Sequence, residues 1–121
     1  LYGAETGGHP SHPDAALRDL PATVSAYVVR EDGTLEDEPA WRTPTRCDGM
    51  CVDVLGHIYT TSGSGVTVLA PDGEIIGTIK TPESPANCCF GGDDFKTLFI
   101  TARTSLYSVR LVNPGARFGG D

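Results

Sequence analysis

The segment CDGMCVD at residues 47–53 decides the fold, because its pattern returns about forty residues later as NCCFGG at residues 87–92. Each segment leads through a short polar turn into an apolar strand, and a further strand follows at the same spacing. Four-stranded units with this period are typical of β-propeller blades. The repeat therefore predicts successive blades, with Asp48 and Asn87 at equivalent positions.

Composition indicates an all-β fold. Apolar residues occur in short runs of Val, Ile, Tyr, Leu and Thr separated by Gly and Pro, and 39% of the 121 residues are hydrophobic. The net charge of -7, without a basic cluster, argues against a nucleic-acid surface. No apolar run approaches the roughly 20 residues of a membrane helix. We expect neither a nucleic-acid nor a membrane partner.

The blade organisation predicts that the chain is the C-terminal portion, between two and three blades, of a longer β-propeller. We assign residues 1–43 to an incomplete blade, 44–82 to a complete blade, 83–112 to a last blade without its closing strand, and 113–121 to a tail. An open stack of blades exposes strand edges, which closed rings avoid. We therefore expect missing N-terminal blades of the same protein as partners, and expect this fragment alone to be inactive.

Alternation and turn residues place the individual strands. Residues 7–21 are predicted to form a long, turn-rich loop, 43–46 and 82–86 to cross between blades, and 31–33 to form an Asp-Gly turn. Strands are predicted at residues 1–6, 24–30, near 35–41, 49–54, 56–61, 65–70, 74–80, 87–90, 97–102 and 105–112.

Polar residues open the first strand of two successive units. In a propeller this strand lines the central channel, so Asp48 and Asn87 are expected to face one cavity. Loops between second and third strands return to the same face, which places Arg103, His9 and His12 around the mouth. A carboxylate beside an amide indicates an oxygen-ligand site.

Five segments closely resemble the gluconolactonase and regucalcin (SMP-30-like) family, and the likeness extends from Leu1 to about Leu111. They are DGMCVD at 48–53, GHIY at 56–59, PDG at 71–73, NCCFGG at 87–92 and LFITA at 98–102. The resemblance implies an all-β, six-bladed propeller that uses one divalent metal ion to hydrolyse a sugar lactone to its aldonic acid. The alternatives are a non-catalytic calcium-binding propeller and a protein-interaction module.

The resemblance also implies roles for single residues. Asp48 corresponds to the family's metal-binding aspartate, and as a catalytic residue it would accept a proton from a metal-bound water. Asn87 corresponds to a channel residue near the ion, and we assign it to substrate binding. Arg103 is assigned to substrate binding by its place at the mouth and not by the resemblance, because its guanidinium would bind a sugar hydroxyl or carboxylate. Ca²⁺ is the first choice of metal, with Zn²⁺, Mg²⁺ or Mn²⁺ as alternatives. The other metal ligands of the family, an asparagine and a glutamate, would lie upstream of residue 1.

Two residues depart from the resemblance. Cys47 stands where many members have proline. Arg103 stands where the related organophosphate-hydrolysing propellers have histidine, which disfavours a phosphotriesterase.

The residues taken alone leave structural alternatives open. Asp48 could bond its own backbone in a turn before Gly49, and Asn87 could cap the 82–86 crossing. Arg103 could be a solvated loop residue, and the two histidines could belong to a flexible loop.

The four cysteines do not have the spacing of a structural zinc site. Adjacent strand residues point to opposite faces, so Cys88 and Cys89 cannot easily share one ion. We therefore interpret all four cysteines as buried free thiols. Free thiols favour a reducing, cytoplasmic compartment, with the periplasm and secretion left open.

Overall fold

The computed structural model describes residues 1–9 and 11–117, which form ten strands in three antiparallel sheets and one short helix. This part of the chain contains no helix that is long and apolar enough to cross a membrane. In chain order the elements are β1 (Tyr2–Glu5), α1 (Ala15–Arg18), β2 (Thr23–Ala26), β3 (Trp41–Pro44), β4 (Met50–Val52), β5 (Ile58–Ser62), β6 (Gly65–Leu69), β7 (Ile75–Lys80), β8 (Pro85–Gly91), β9 (Thr97–Ala102) and β10 (Leu106–Arg110).

The chain divides into two compact units, and the first comprises Leu1–Cys47. Its sheet has the order β1-β2-β3, and every residue of the central strand β2 is buried. Between β1 and β2 the chain forms α1, where the Asp14 side chain accepts a hydrogen bond from Ala16 N at 2.9 Å. The sequence predicted only a loop here, because one helical turn is too short to show a periodic apolar pattern.

The second unit, Asp48–Asp121, contains the sheet β4-β5-β6-β7 and the sheet β8-β9-β10. Both sheets contribute to one buried cluster, formed by Tyr59, Val66, Cys88, Phe90, Leu98 and Ile100. Within it the rings of Tyr59 and Phe90 meet edge to face, with their centroids 5.3 Å apart. Because side chains alternate along β8, Cys88 and Phe90 are buried while Asn87 and Cys89 are exposed on the opposite face.

Most of the predicted strands are present, and β9 has the predicted bounds, but two strands are displaced. The edge strand expected near 35–41 lies instead at Trp41–Pro44, because residues around the Asp32-Gly33 turn form only a single bridge, from Val29 to Leu35. Strand β8 begins at Pro85, inside the expected crossing. Proline has no backbone N–H to donate, but at the first position of a strand the hydrogen-bond ladder does not require this donor.

The segment 113–116 pairs with the end of β4. Val54 N donates to Pro114 O at 3.0 Å, and Ala116 N donates to Val52 O at 2.9 Å. On its other side this segment contacts the β8–β9 connection, where Gly115 N donates to Phe95 O at 2.8 Å. The predicted tail 113–121 is therefore partly paired with the sheet, and its residues 118–121 lie outside the described residues.

Candidate functional site

Asp48 and Gly49 are held in place by the end of β5. Asp48 N donates to Thr61 O at 2.9 Å, and Thr61 N donates to Gly49 O at 2.9 Å. These main-chain bonds extend the β4–β5 pairing by one step beyond Met50. Asp48 itself is exposed, so its carboxylate lies at the solvent-facing start of the strand.

Gly49 packs directly against Asn87. A Cβ atom on residue 49 would lie 2.1 Å from Asn87 Oδ1 and 2.9 Å from Asn87 Cα. Real Cβ atoms do not come this close to their neighbours, so only glycine fits here. The structure therefore brings the starts of β4 and β8, which carry Asp48 and Asn87, next to each other.

Thr61 stabilises this junction, a role that no sequence pattern predicted. Its side chain is fully buried, its Oγ1 accepts a hydrogen bond from Gly49 N at 2.9 Å, and the same hydroxyl donates to Ala86 O at 2.9 Å. One hydroxyl thus connects the residue after Asp48 with the residue before Asn87. The sequence contains no specific signal for this role, because Thr61 is one of three consecutive Thr and Ser residues at positions 60–62 of β5.

The Asn87 side chain is oriented by its own strand. Its Oδ1 accepts a hydrogen bond from Cys88 N at 2.8 Å, and its backbone oxygen accepts one from Thr101 Oγ1 at 3.3 Å. The carboxamide oxygen is therefore bonded to the following residue and not to the 82–86 crossing. One lone pair of this oxygen and the two amide hydrogens remain for other partners.

Arg103 lies in the β9–β10 turn and is exposed. The strand register pairs Ala102 with Pro85 and Thr101 with Asn87, so this turn is at the Asn87 end of the sheet. Glu83 holds the turn, accepting hydrogen bonds from Thr104 N at 3.3 Å and from Thr104 Oγ1. These bonds lower the pKa of the Glu83 carboxyl. The substrate-binding role of Arg103 stays a prediction.

His9 and His12 belong to the first unit and make local contacts. His9 Nδ1 accepts a hydrogen bond from Ser11 N at 3.3 Å, and His12 Nδ1 accepts one from Asp14 N at 3.1 Å. Both bonds stay within the loop that precedes α1, where they stabilise its turns.

Asp53 is a second polar centre, and no sequence pattern predicted its role. It is only 1% exposed and accepts hydrogen bonds from Leu55 N, His57 N and His57 Nδ1, each at 2.9 Å, from Tyr59 OH at 3.2 Å and from Asn113 Nδ2 at 3.3 Å. Burial raises the pKa of this carboxyl, but the bonds from His57, Asn113 and Leu55 outweigh burial and lower it. Asp53 therefore anchors the β4–β5 turn and the segment 113–116.

Asp48 is predicted to bind a metal ion, which requires further ligand side chains close to it. Residues 1–9 and 11–117 contain no cluster of three or more His, Cys, Asp or Glu side chains that could hold a metal ion. The carboxylate of Asp48 and the amide oxygen of Asn87 are the donor type that hard divalent cations prefer. Because Ca²⁺ takes about six to eight oxygens, these residues can supply only part of a ligand shell.

None of the four cysteines, which all lie within the described residues, forms a disulfide, but the burial of one of them differs from our expectation. Cys47 and Cys88 are buried and Cys51 is partly buried, whereas Cys89 is exposed because it shares the outer face of β8 with Asn87. The expectation that all four thiols are buried is wrong for this residue. The Sγ atoms of Cys51 and Cys88 are 3.5 Å apart.

Three antiparallel sheets and one helical turn define the described residues as all-β, which fits the propeller class that the repeat predicted. The sequence profile of the SMP-30/Gluconolactonase/LRE-like region matches residues 19–104, and the chain belongs to this family. The predicted family and fold class are therefore confirmed.

Individual relatives agree with this assignment. The chain is 42% identical to the gluconolactonase of Zymomonas mobilis over 65 residues, 52% of this chain and 18% of that protein. It is 37% identical to regucalcin of Bos taurus over 70 residues, 54% of this chain and 23% of that protein. The chain thus spans about a fifth of the length of these curated relatives.

Solved structures show the same partial coverage. An X-ray structure of a protein assigned as a gluconolactonase matches with a TM-score of 0.69 and 31% identity, over 82% of this chain and 37% of that chain. A gluconolactonase from Xanthomonas campestris matches with a TM-score of 0.57 and 31% identity, over 81% of this chain and 31% of that chain.

Proposed function

We propose that the full-length protein hydrolyses a sugar lactone to the corresponding aldonic acid and uses one divalent metal ion to do so. The observation that carries the proposal is the junction of Gly49 with Asn87, which sets a carboxylate and an amide at adjacent strand starts in a member of the gluconolactonase family. Relatives named gluconolactonase support the substrate class.

Ring opening of a lactone needs a polarised carbonyl and an activated water, and a bound divalent cation supplies both. In our proposal Asp48 binds the cation through one carboxylate oxygen and accepts the proton of the attacking water on the other. Ca²⁺ is the first choice because the donors are oxygens, with Zn²⁺, Mg²⁺ and Mn²⁺ as alternatives. The remaining ligands would come from blades outside these residues.

Asn87 and Arg103 would orient the substrate. Because Cys88 N holds the Asn87 carboxamide oxygen, the amide hydrogens are left to donate to a lactone oxygen. The exposed guanidinium of Arg103 would donate to sugar hydroxyls or to the product carboxylate. Glu83, through Thr104, would keep this turn in place.

Asp48→Asn in the full-length protein tests the proposal, because this change keeps the size of the side chain and the bond from the backbone N–H. We expect kcat/KM for an aldonolactone to fall about 10²–10⁴-fold, as for loss of a positioned base, with the circular dichroism spectrum unchanged. Asp72→Asn is the matched control, since Asp72 is an exposed turn residue that bonds only locally to Glu74 N. Equal activity of the Asp48 variant and the control would refute the catalytic role.

A second candidate is a calcium-binding propeller without useful turnover, which the similarity to proteins named regucalcin favours. Titration of Ca²⁺ and Zn²⁺, with both metal binding and lactone hydrolysis measured, separates the two functions. Binding that depends on Asp48, without hydrolysis of any aldonolactone, would support the second candidate and overturn the first.

A further inference from the structure

Two cysteines from different sheets of the second unit face each other across their packed surfaces. Cys51 lies in β4 and Cys88 in β8, and their Sγ atoms are 3.5 Å apart. Cys88 is 6% exposed, and its sulfur also lies 3.6 Å from Tyr59 O. The two thiols are therefore already adjacent in the folded chain, although 37 positions separate them in sequence.

Competing pairings are disfavoured by strand geometry. Cys89 is adjacent to Cys88, but its side chain lies on the exposed face of β8, opposite the face that packs against Cys51. A disulfide between Cys88 and Cys89 would need its two sulfurs on one side of the strand. Within this unit the packed geometry thus selects Cys51 as the partner of Cys88.

We propose that Cys51 and Cys88 are a reversible disulfide-forming pair that a small hydroperoxide oxidises, and that the bond joins β4 to β8. A disulfide needs sulfurs about 2.05 Å apart, so closure brings the two Sγ atoms together by about 1.5 Å from their distance of 3.5 Å. This modification does not depend on whether the protein hydrolyses lactones.

The chemistry balances with hydrogen peroxide as the oxidant. The thiolate of one cysteine attacks a peroxide oxygen, forms a sulfenic acid and releases hydroxide; the second thiol then attacks the sulfenic sulfur, forms the S–S bond and releases water. Two thiols and one peroxide give one disulfide and two waters, once the released hydroxide takes up the proton of the first thiol. A dithiol reductant reverses the reaction by exchange.

The surroundings fit this order of steps. Either sulfur can attack the peroxide first, because the two Sγ atoms are 3.5 Å apart and the second is then already within reach of the sulfenic sulfur. Since Cys88 is almost fully buried, an oxidant not much larger than water reaches it more easily than a peptide disulfide does.

The bond would also fix the candidate site. Cys51 is two residues after Gly49, and Cys88 directly follows Asn87. A covalent link between these two cysteines would fix the distance between the strand segments that carry Asp48 and Asn87. Oxidation would therefore hold this pair of polar residues at one spacing.

The test uses the reduced, full-length protein, a few equivalents of hydrogen peroxide, an alkylating quench and peptide mapping by mass spectrometry. We expect one crosslinked peptide pair, Cys51 with Cys88, that dithiothreitol reverses, while Cys47 and Cys89 remain alkylated. This link should make up at least about a threefold larger share of all disulfides in the native protein than in the same protein oxidised in urea, because folding preorganises the pair.

Single variants make the outcome specific. Cys89→Ser is the matched control and should crosslink like the wild type, whereas Cys51→Ser and Cys88→Ser should give no intramolecular link. Oxidation of wild-type protein to sulfinic or sulfonic acid at Cys88 without a crosslink would overturn the proposal. So would a predominant Cys88–Cys89 link, or an equal share of the Cys51–Cys88 link in native buffer and in urea.

Discussion

Gly49→Ala is the substitution whose effect the structure determines most directly. The new methyl group would lie 2.1 Å from Asn87 Oδ1, about 1.3 Å closer than an ordinary contact of 3.4 Å, and 2.9 Å from Asn87 Cα. Rotation of the Asn87 side chain can relieve the first contact. It cannot relieve the second, so the β8 backbone must also move by about 0.5 Å.

The expected cost combines two effects. Rotation of Asn87 breaks its bond with Cys88 N, which costs about 1 kcal/mol, and overpacking of the junction adds about 1–3 kcal/mol. We expect Gly49→Ala to lower the free energy of unfolding by about 2–4 kcal/mol, measured by urea denaturation of the full-length protein. Activity on a lactone should fall as well, because Asp48 and Asn87 are displaced relative to each other.

Gly77→Ala is the matched control, because no atom lies within 4 Å of a Cβ placed on this exposed strand glycine. It should be neutral or stabilising by up to about 1 kcal/mol. In an Asn87→Ala background the cost of Gly49→Ala should fall by about 1 kcal/mol, since the closest clashing atoms are gone. Equal unfolding midpoints for the two glycine variants would refute our account of the junction.

Two further predictions concern buried polar groups. Thr61→Val should lower the free energy of unfolding, measured by urea titration, by about 1–3 kcal/mol, because Gly49 N and Ala86 O lose their shared partner. The control Thr78→Val, on the exposed strand β7, should change this free energy by less than about 0.5 kcal/mol. Asp53→Asn should cost about 2–4 kcal/mol at neutral pH, since an amide cannot accept from all the donors that surround the carboxylate. Folding lowers the pKa of Asp53. The stability that its carboxylate contributes is therefore fully present above the unfolded pKa of about 3.9 and is lost as the pH falls through the folded pKa. The difference in free energy of unfolding between wild type and variant should shrink below about pH 4. A difference that stays constant from pH 7 to pH 3 would contradict this role.

Local patterns were enough to predict most of the strands. Alternation of apolar and polar residues reports the face of a strand, and β9 at Thr97–Ala102 follows directly from it. The equivalence of Asp48 and Asn87 follows from the repeat, and both residues stand at adjacent strand starts. Their chemical roles stay predictions.

Long-range partners could not be predicted in the same way. The hydroxyl of Thr61 matters because of Gly49 and Ala86, which are 12 and 25 positions away, and Asp53 meets Asn113 at a separation of 60. No periodicity encodes such contacts. The contact with Gly49 depends on the register of β4 and β5, whereas those with Ala86 and Asn113 depend on how β8 and the segment 113–116 pack against this sheet. The position of β3 depends likewise on which segment pairs with β2, a competition between neighbouring segments that alternation does not decide.

The pairing of residues 113–116 with β4 has a consequence for how the second unit loses its structure. The segment after β10 is bonded both to the edge of the four-stranded sheet and to the Phe95 connection of the three-stranded sheet. Irregular segments outside strands often open on their own, but here the amides of Val54, Gly115 and Ala116 are bonded to partners that span both sheets. The amide hydrogens of these residues should therefore exchange only when both sheets open together, as slowly as the most protected amides of the two sheets.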